Sequence, residues 1–385
     1  MSSWRESMSE WNSDSLDRLT TKIGSGATPR GGSNVYRLTG VKLIRSQNVL
    51  DNAMKTQDIA CITDEAADSL RGVTVERGDV LINITGDSIA RCAVVDERLL
   101  PARVNQHVAI IRTTSELDPR FLQRFLVNPV FKESLIASST GGTRKALTKA
   151  DLGKLVIKFP TLAEQTAIAD VLGALDDKIA ANAAMAGSAT ELMFASYAGI
   201  IGLGGTRTML VSEMSRRLAY RNDFKKDQLG LTGDFPIFDQ SESGFLGYAH
   251  GTASLQASAN QPVIYFGDHT CTLRLATEDF GLGSNTIPFV GRDIPSSVLY
   301  CAIRGVQEHQ EYKRHWQDLM VKQVAVPGVP SALKFAIEFE TVLSLPASAR
   351  RENETLSATR DILLPQLMSG KLGVKDAEKS LAGVL

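Results

Sequence analysis

Basic side chains are concentrated in one segment of the first half of the chain, residues 144–158. Within this segment Asp151 is the single acidic residue, and it stands among five basic ones: Arg144, Lys145, Lys149, Lys154 and Lys158. Side chains of this kind bind phosphate groups, so the segment could contact the backbone of a nucleic acid. The whole chain has a formal net charge of −1. Any attraction to a nucleic acid must therefore be local.

The motifs of the common catalytic sites are absent from the sequence. There is no Gly-x-x-x-x-Gly-Lys-Ser/Thr phosphate loop, no His-Glu-x-x-His zinc helix and no Gly-x-Ser-x-Gly nucleophile elbow. Asn128-Pro129-Val130-Phe131 resembles the Asn-Pro-Pro-Phe loop of adenine methyltransferases, but Val130 replaces the second proline and no glycine-rich cofactor loop precedes it. We interpret Asn128 as a helix cap and Pro129 as part of the first turn. The sequence therefore predicts neither a catalytic residue nor a metal site.

The composition is typical of a soluble globular protein. Hydrophobic residues make up 43% of the chain and charged residues 22%. The N-terminus does not look like a signal peptide and no apolar run is long enough for a membrane span, so we expect a cytoplasmic protein. The cysteines are isolated and flanked by apolar residues, which favours buried free thiols over disulfides or metal ligands. They are Cys61, Cys92, Cys271 and Cys301.

The second half of the chain repeats the first half in diverged form. Residues 209–327 parallel residues 1–160, and each repeat is followed by a segment of helical composition. For a chain of 385 residues, the duplication predicts two modules joined by helices. The predicted domains are a first module (1–160), a helical spacer (161–203), a second module (204–327), and a second helical spacer with a C-terminal tail (328–385).

Short apolar runs between turn residues predict an α/β (α+β) fold, with mixed and largely antiparallel sheets in each module. Gly78 and Asp79 predict a turn before a strand. Asp118 and Pro119 predict the start of a helix, and another helix is expected from Pro129 to Ser138. In the second module, strands are predicted around residues 235–238, 262–267 and 285–289.

A seven-residue repeat follows Pro160 and predicts one strand of an antiparallel coiled coil. Its seam positions are Ile168, Leu172, Leu175, Ile179, Asn182, Ala186, Ala189 and Met193. Asn182 could fix the register of the pair. The alternative is an amphipathic helix that packs on its own domain. In the closing helical segment, residues 331–369, Pro346 should interrupt the helix, and the last dozen residues should be loosely tethered.

Several motifs, in this order, resemble the specificity (S) subunit of type I restriction-modification systems. The resemblance covers nearly the whole chain, and its most specific part is the stretch from Pro160 to Ile179. The other landmarks are 24–29, 78–90, 105–107, 142–147, 235–248 and 363–374.

The resemblance implies a subunit without its own active site. Two target-recognition domains would each read half of a bipartite site in double-stranded DNA, and the helices would set the half-site spacing. Two methyltransferase (M) subunits would dock on the helices and bring S-adenosylmethionine, and restriction (R) subunits would bring ATP and Mg. The alternatives are a degenerate scaffold that binds M subunits without recognising DNA, or a stand-alone DNA-modifying enzyme.

The resemblance also directs attention to polar residues on loops as DNA contacts. In the first module the candidates are Arg30, Arg45, Ser46, Gln47, Asn48, Arg91, Thr143, Arg144 and Lys145. In the second they are Gln240, Ser241, Arg274, Lys313 and Arg314. Asn105 and Gln106 could either contact DNA or cap strands internally. The candidate contacts with M subunits, some of which must instead belong to the helix seam, are Glu164, Gln165, Ile168, Leu172, Leu175 and Ile179.

Overall fold

The computed structural model describes residues 11–138, 146–220, 224, 226–308 and 314–381. The chain divides into two compact units. Unit 1 comprises Met1–Lys178 and Thr355–Leu385, and unit 2 comprises Ile179–Glu354. Four of the predicted DNA contacts lie outside the described residues, namely Thr143, Arg144, Lys145 and Lys313. None of the helices within the described ranges is long and apolar enough to cross a membrane.

In the described part of unit 1 the strands form three sheets. The strands are β1 (Asn12–Ser15), β2 (Thr20–Ser25), β3 (Tyr36–Arg37), β4 (Val41–Ile44), β5 (Ala60–Ile62), β6 (Thr74–Val75), β7 (Val80–Asn83), β8 (Cys92–Val94), β9 (Ala102–Val104), β10 (Val108–Thr113) and β11 (Val156–Phe159). One sheet is antiparallel, in the order β2-β10-β7-β8. A mixed sheet has the order β3-β5-β4-β9-β6, and β1 pairs with β11. Strand β7 follows the predicted turn at Gly78 and Asp79 and is fully buried.

Two helices of unit 1 begin where the capping residues predict. The helices in the first part of unit 1 are α1 (Asp64–Ser69), α2 (Pro119–Val127), α3 (Pro129–Ser138), α4 (Lys149–Gly153) and the start of α5 (Leu162–Gly202). The Asp118 carboxylate accepts hydrogen bonds from the N–H groups of Arg120 (2.8 Å) and Phe121 (3.4 Å). Asn128 Oδ1 accepts one from the N–H of Val130 at 3.2 Å. Both predicted helix starts are therefore confirmed.

Two sheets in the described part of unit 2 repeat the strand order of sheets in unit 1. The strands are β12 (Thr206–Leu210), β13 (Ser215–Arg217), β14 (Phe235–Phe238), β15 (Phe245–Ala249), β16 (Val263–Gly267), β17 (Leu273–Ala276), β18 (Gly281–Leu282), β19 (Thr286–Gly291) and β20 (Gln323–Pro327). The order β13-β19-β16-β17 corresponds to β2-β10-β7-β8, and the pair β12-β20 corresponds to β1-β11. The remaining sheet is smaller, with the order β15-β14-β18. This repeated topology supports the duplication inferred from the sequence.

The last long helix continues through Pro346. The remaining helices of unit 2 are α6 (Val211–Met214), α7 (Ser296–Ile303), α8 (Trp316–Met320) and the first part of α9 (Val329–Met368). Because α9 is continuous, the predicted interruption at Pro346 was wrong. A proline inside a helix costs about 3 kcal/mol, and burial of neighbours such as Leu343 and Ala349 offsets that cost.

Within unit 2, α5 and α9 run antiparallel and share polar contacts. Asn182 Nδ2 donates to Asn353 Oδ1 at 3.0 Å, and Asn353 Nδ2 donates to the Ile179 carbonyl at 3.2 Å. Further along, the rings of Tyr197 and Phe335 lie 5.8 Å apart. The seam positions predicted for this unit are buried or half-buried: Ile179, Asn182, Ala186, Ala189 and Met193. The polar position of the seam is thus paired with a second asparagine.

The last described residues form a helix within unit 1. Helix α10 (Val374–Leu381) buries Ala377 and Leu381. The prediction of a loosely tethered tail was therefore wrong for these residues, because their apolar side chains recur on one helix face.

The cysteines differ in burial. Cys92 and Cys301 are buried, whereas Cys61 and Cys271 are half-buried. Burial raises the pKa of Cys301 to about 12, and it raises the pKa of Cys92 as well. These two thiols stay protonated at neutral pH and are poor nucleophiles.

Candidate nucleic-acid interface

At one end of the β2-β10-β7-β8 sheet, four segments from distant parts of the sequence meet. We call residues 26–30, 45–48, 85–91 and 105–107 the first loop surface. Backbone hydrogen bonds join them: the Gly26 N–H donates to Val108 (2.9 Å), the Asn105 N–H to Ile44 (3.0 Å) and the Ile84 N–H to His107 (3.0 Å), in each case to the carbonyl oxygen. The loops are therefore fixed against one another by the main chain.

Two residues make this junction possible. A Cβ atom on Gly26 would lie 2.1 Å from the Val104 carbonyl oxygen, so only glycine fits there. The Asn83 side chain is fully buried, and its Nδ2 donates to the Ser46 carbonyl (2.9 Å) and to Ser88 Oγ (3.1 Å). Asn83 thereby holds two loops that lie far apart in the sequence.

Most of the described predicted contacts of the first module lie on this surface. Arg30, Gln47 and Arg91 are exposed, while Arg45 and Ser46 are half-buried. These side chains are held close to one another by the junction described above, which the sequence alone did not show.

Asn48 is the exception in this group. Its side chain is fully buried, and its Oδ1 accepts a hydrogen bond from the Arg45 N–H at 3.0 Å. Asn48 closes the turn instead of facing solvent, so we leave it out of the proposed DNA contacts. A sequence cannot distinguish these roles, because asparagine is favoured both in turns and at base contacts.

Gln106 belongs to a chain of polar side chains on the same surface, whose other members, Thr28, His107 and Thr85, were not among the predicted contacts. Thr28 Oγ1 donates to Gln106 Oε1 at 2.6 Å, and Gln106 Nε2 lies 3.0 Å from His107 Nε2. His107 Nδ1 lies 2.7 Å from Thr85 Oγ1. Asn105 is nearly buried and its Oδ1 accepts from the His107 N–H at 3.2 Å, whereas Gln106 is exposed. Asn105 therefore caps the turn, and Gln106 remains available to a ligand.

In unit 2 the corresponding end of the sheet carries two joined turns. We call residues 239–244 and 268–272, with Arg314, the second loop surface. Gln240 Oε1 accepts a hydrogen bond from the His269 N–H at 3.0 Å, and the Gln240 carbonyl accepts one from Thr270 Oγ1 at 3.0 Å. Arg314 is exposed, and its Nε lies 4.0 Å from Asp268 Oδ2. The fold thus places three predicted contacts on one surface, namely Gln240, Ser241 and Arg314.

Arg274 stabilises this surface through hydrogen bonds to its main chain. Its guanidinium donates to the carbonyl oxygens of Asp239 (3.1 Å), Ser241 (2.9 Å) and Glu242 (2.7 Å). A Cβ atom on Gly244 would lie 2.3 Å from the same guanidinium. Arg274 therefore holds the turn of residues 239–244, and three of its five N–H groups donate to main-chain oxygens of that turn.

The two loop surfaces occupy equivalent places in the repeat. The loop of residues 84–91 joins β7 to β8, and the loop of residues 268–272 joins β16 to β17. These strand pairs correspond in the two sheet orders. The predicted contacts of each module therefore lie at, or are hydrogen-bonded to, the equivalent end of the corresponding sheet.

The residues predicted to dock M subunits are mostly internal. Gln165, Ile168, Leu172 and Leu175 are buried within unit 1. The Gln165 side chain accepts from the Asp118 N–H at 2.9 Å and donates to the carbonyls of Glu116 and Pro160 at 3.0 Å each. These four residues attach the first part of α5 to the rest of unit 1. Glu164 and Ile179 are half-buried.

Replacing Gln165 by alanine should destabilise the start of α5. Three hydrogen bonds to main-chain groups would be lost, and buried groups without partners cost about 1–3 kcal/mol each. Allowing for water entry, we expect a loss of about 2 kcal/mol, measured by hydrogen exchange in peptides covering residues 114–122 and 160–175. Glu164→Ala is the matched control and should change exchange little. Equal exchange in both variants would contradict the anchoring role.

Comparison with known proteins gives one family and one shared fold. Residues 8–185 match the family model described as "Type I restriction modification DNA specificity domain". Over 129 residues, 33% of this chain, the sequence is 30% identical to the specificity subunit of the type I restriction enzyme EcoBI from Escherichia coli, and the match spans 26% of that protein's length. The crystal structure of the type I restriction-modification system S subunit from M. genitalium matches with a TM-score of 0.57 and 15% identity. That match covers 93% of this chain and 96% of the other.

Proposed function

We propose that this chain, which belongs through residues 8–185 to the family of type I restriction-modification DNA specificity domains, reads DNA sequence for a type I restriction-modification complex without catalysing a reaction itself. Each module would read one half of a bipartite site in double-stranded DNA. The observation that carries the proposal is the equivalence of the two loop surfaces. Exposed and half-buried polar side chains lie at the equivalent end of the repeated sheet in both modules.

The chemistry of these side chains suits base and phosphate contacts. Arginine binds guanine or phosphate, and glutamine binds adenine in the major groove. The proposed contacts of the described residues are Arg30, Arg45, Ser46, Gln47 and Arg91 in the first module and Gln240, Ser241 and Arg314 in the second. Arg274 would act by holding its turn. Thr143, Arg144, Lys145 and Lys313 remain contacts predicted from the sequence.

The helices would dock two M subunits and set the half-site spacing. Because most of the predicted docking residues are buried, we propose that exposed apolar side chains take their place. On α5 and α9 in unit 2 these include Leu192 (59% exposed), Leu333 (52%) and Ile337 (73%). Methyl transfer would use S-adenosylmethionine held by the M subunits, and restriction would use ATP and Mg held by R subunits.

Co-expression of the chain with an M subunit, followed by sequencing of N6-methyladenine, tests this function. We expect one bipartite motif with a fixed gap. Arg91→Ala should weaken recognition of one half-site about tenfold, and Arg314→Ala should weaken the other half-site, because one base contact contributes about 1–3 kcal/mol.

Arg98→Ala is the control for these variants. Its side chain is 81% exposed, but it follows β8 at the opposite end of the sheet. It should leave the motif unchanged. A stable complex that produces no methylation would favour the degenerate scaffold, and DNA modification by the isolated chain would favour an enzyme.

A further inference from the structure

Gln106 is an exposed residue whose amide group is held by neighbouring side chains on both sides. It lies on the turn between β9 and β10, in the centre of the first loop surface. On one side Thr28 Oγ1 donates to Gln106 Oε1 (2.6 Å), and on the other side Gln106 Nε2 meets His107 Nε2 (3.0 Å). A glutamine restrained at both amide atoms loses little rotational freedom on binding a ligand.

The roles of donor and acceptor follow from the atoms involved. The amide nitrogen of Gln106 can only donate, so His107 Nε2 accepts. His107 Nδ1 then carries the ring proton and donates to Thr85 Oγ1 at 2.7 Å. With the amide reversed, its oxygen would accept from His107 Nε2 in the other ring tautomer and its nitrogen would donate to Thr28 Oγ1, so both amide atoms are hydrogen-bonded in either orientation.

The restrained amide keeps one unused position on each atom. Oε1 has two lone pairs and Thr28 takes one, while Nε2 has two hydrogens and His107 takes one. What remains is one acceptor beside one donor. In the major groove, adenine presents a donor (N6) beside an acceptor (N7), whereas guanine presents two acceptors there. Adenine is therefore the complementary base.

We propose that Gln106 reads an adenine through the major groove in the half-site bound by the first module. The proposal rests on the DNA-reading function proposed above and adds one base of the recognised sequence. That adenine is not the methylated one, because a base that is flipped out for methylation leaves the stack. Thr28 and His107 act as positioning residues for the amide.

Methylation motifs of Gln106 variants test this assignment. With the chain co-expressed with its M subunit, the wild-type motif should contain an unmethylated adenine whose identity depends on Gln106. Gln106→Ala should reduce the preference at that position by about tenfold or more and leave the others intact. Gln106→Glu should shift the same position toward cytosine, because a carboxylate accepts from cytosine N4. Thr28→Val, which releases one side of the amide, should reduce the preference without changing the base.

Gln57→Ala, which removes an exposed glutamine elsewhere in the first module, is the control and should leave the motif unchanged. A motif that is the same in the wild type and in Gln106→Ala would overturn the assignment and leave the proposed function standing. A position that depends on Gln106 but holds guanine would also overturn it, since guanine offers the matching pair only in the minor groove. A wild-type chain that gives no motif at all would overturn both proposals.

Discussion

Replacing Asp79 by alanine is expected to destabilise unit 1 by about 3–5 kcal/mol, because it removes one partner of a buried ion pair. The Asp79 side chain is fully buried, and its two oxygens accept from Arg112 Nε (2.7 Å) and Nη2 (2.9 Å). Asp79 Oδ2 also accepts from the Glu76 N–H at 2.7 Å. Hydrogen bonding to Asp79 raises the pKa of Arg112 above its usual value. Arginine is charged at neutral pH even without such a partner, so the guanidinium stays charged after Asp79 is lost.

Hydrogen exchange in the full chain measures this effect unit by unit. Peptides from β7 and β10 should exchange at least about a hundredfold faster in Asp79→Ala, since each 1.4 kcal/mol corresponds to a factor of ten. Peptides from unit 2 serve as an internal reference. Asp68→Ala is the matched control, because its ion pair with Arg71 is exposed on both sides and should contribute less than about 1 kcal/mol. If both variants behave alike, the buried pair is not a main support of the unit.

Replacing Arg350 by methionine should destabilise unit 2 by about 3 kcal/mol. Arg350 on α9 donates to Glu278 (2.6 Å), to Glu354 (2.7 Å) and to the hydroxyl of Tyr248. Its guanidinium also lies 5.8 Å from the ring of Phe238 and 5.6 Å from the ring of Phe245. Such contacts add about 0.5–2 kcal/mol when they are desolvated.

The effect of Arg350 should extend to DNA reading and should depend on pH. Phe238 ends β14 and Phe245 begins β15, so the two rings flank the turn of residues 239–244 on the second loop surface. We therefore expect Arg350→Met to weaken only the half-site that Arg314→Ala weakens.

The loss of stability in Arg350→Met should also depend on pH. Burial raises the pKa of Glu278. A raised folded-state pKa favours the folded state at low pH and opposes it as the pH rises, so the deficit should be smaller at pH 5 than at pH 8.

Arg351→Met provides the comparison for this variant. Arg351 also pairs with Glu278, at 2.6 Å, but its side chain is 65% exposed against 21% for Arg350. We expect its effect on exchange in unit 2 to be less than half as large. An equal loss in the two variants would mean that the charge on Glu278, and not the aromatic surroundings of Arg350, accounts for the stability.

Local elements could be predicted because their signals lie within a few residues of one another. Asp118 and Asn128 cap helices through the N–H groups that follow them two or three residues later. The seam of α5 follows from a repeat of seven, which places Asn182 on the seam but does not indicate its partner Asn353. The resemblance to type I specificity subunits was likewise predicted from ordered motifs, and residues 8–185 match the model of that family. The predicted domain boundaries and DNA contacts remain predictions.

Accessibility could not be predicted in the same way. Asn48 and Gln47 are neighbours in a polar run, yet the first is buried and the second exposed. Gln165 belongs to the most specific motif, but its hydrogen bonds reach Glu116 and Asp118 almost fifty residues away. Side-chain type sets what a residue can bind, while burial depends on which distant segment packs against it.

Residue types, spacing and duplication were sufficient to predict several of the strands, the helix starts at Pro119 and Pro129, the internal repeat and the resemblance to the family. Four outcomes depended on packing between distant segments: the junction of the first loop surface around Asn83, the position of the Gln106 amide between Thr28 and His107, the use of Arg274 as a support, and the continuity of α9 through Pro346. The physical reason is that a cap or a heptad is complete within a few turns of chain. A buried hydrogen bond between distant segments forms only when the tertiary fold excludes water from both partners.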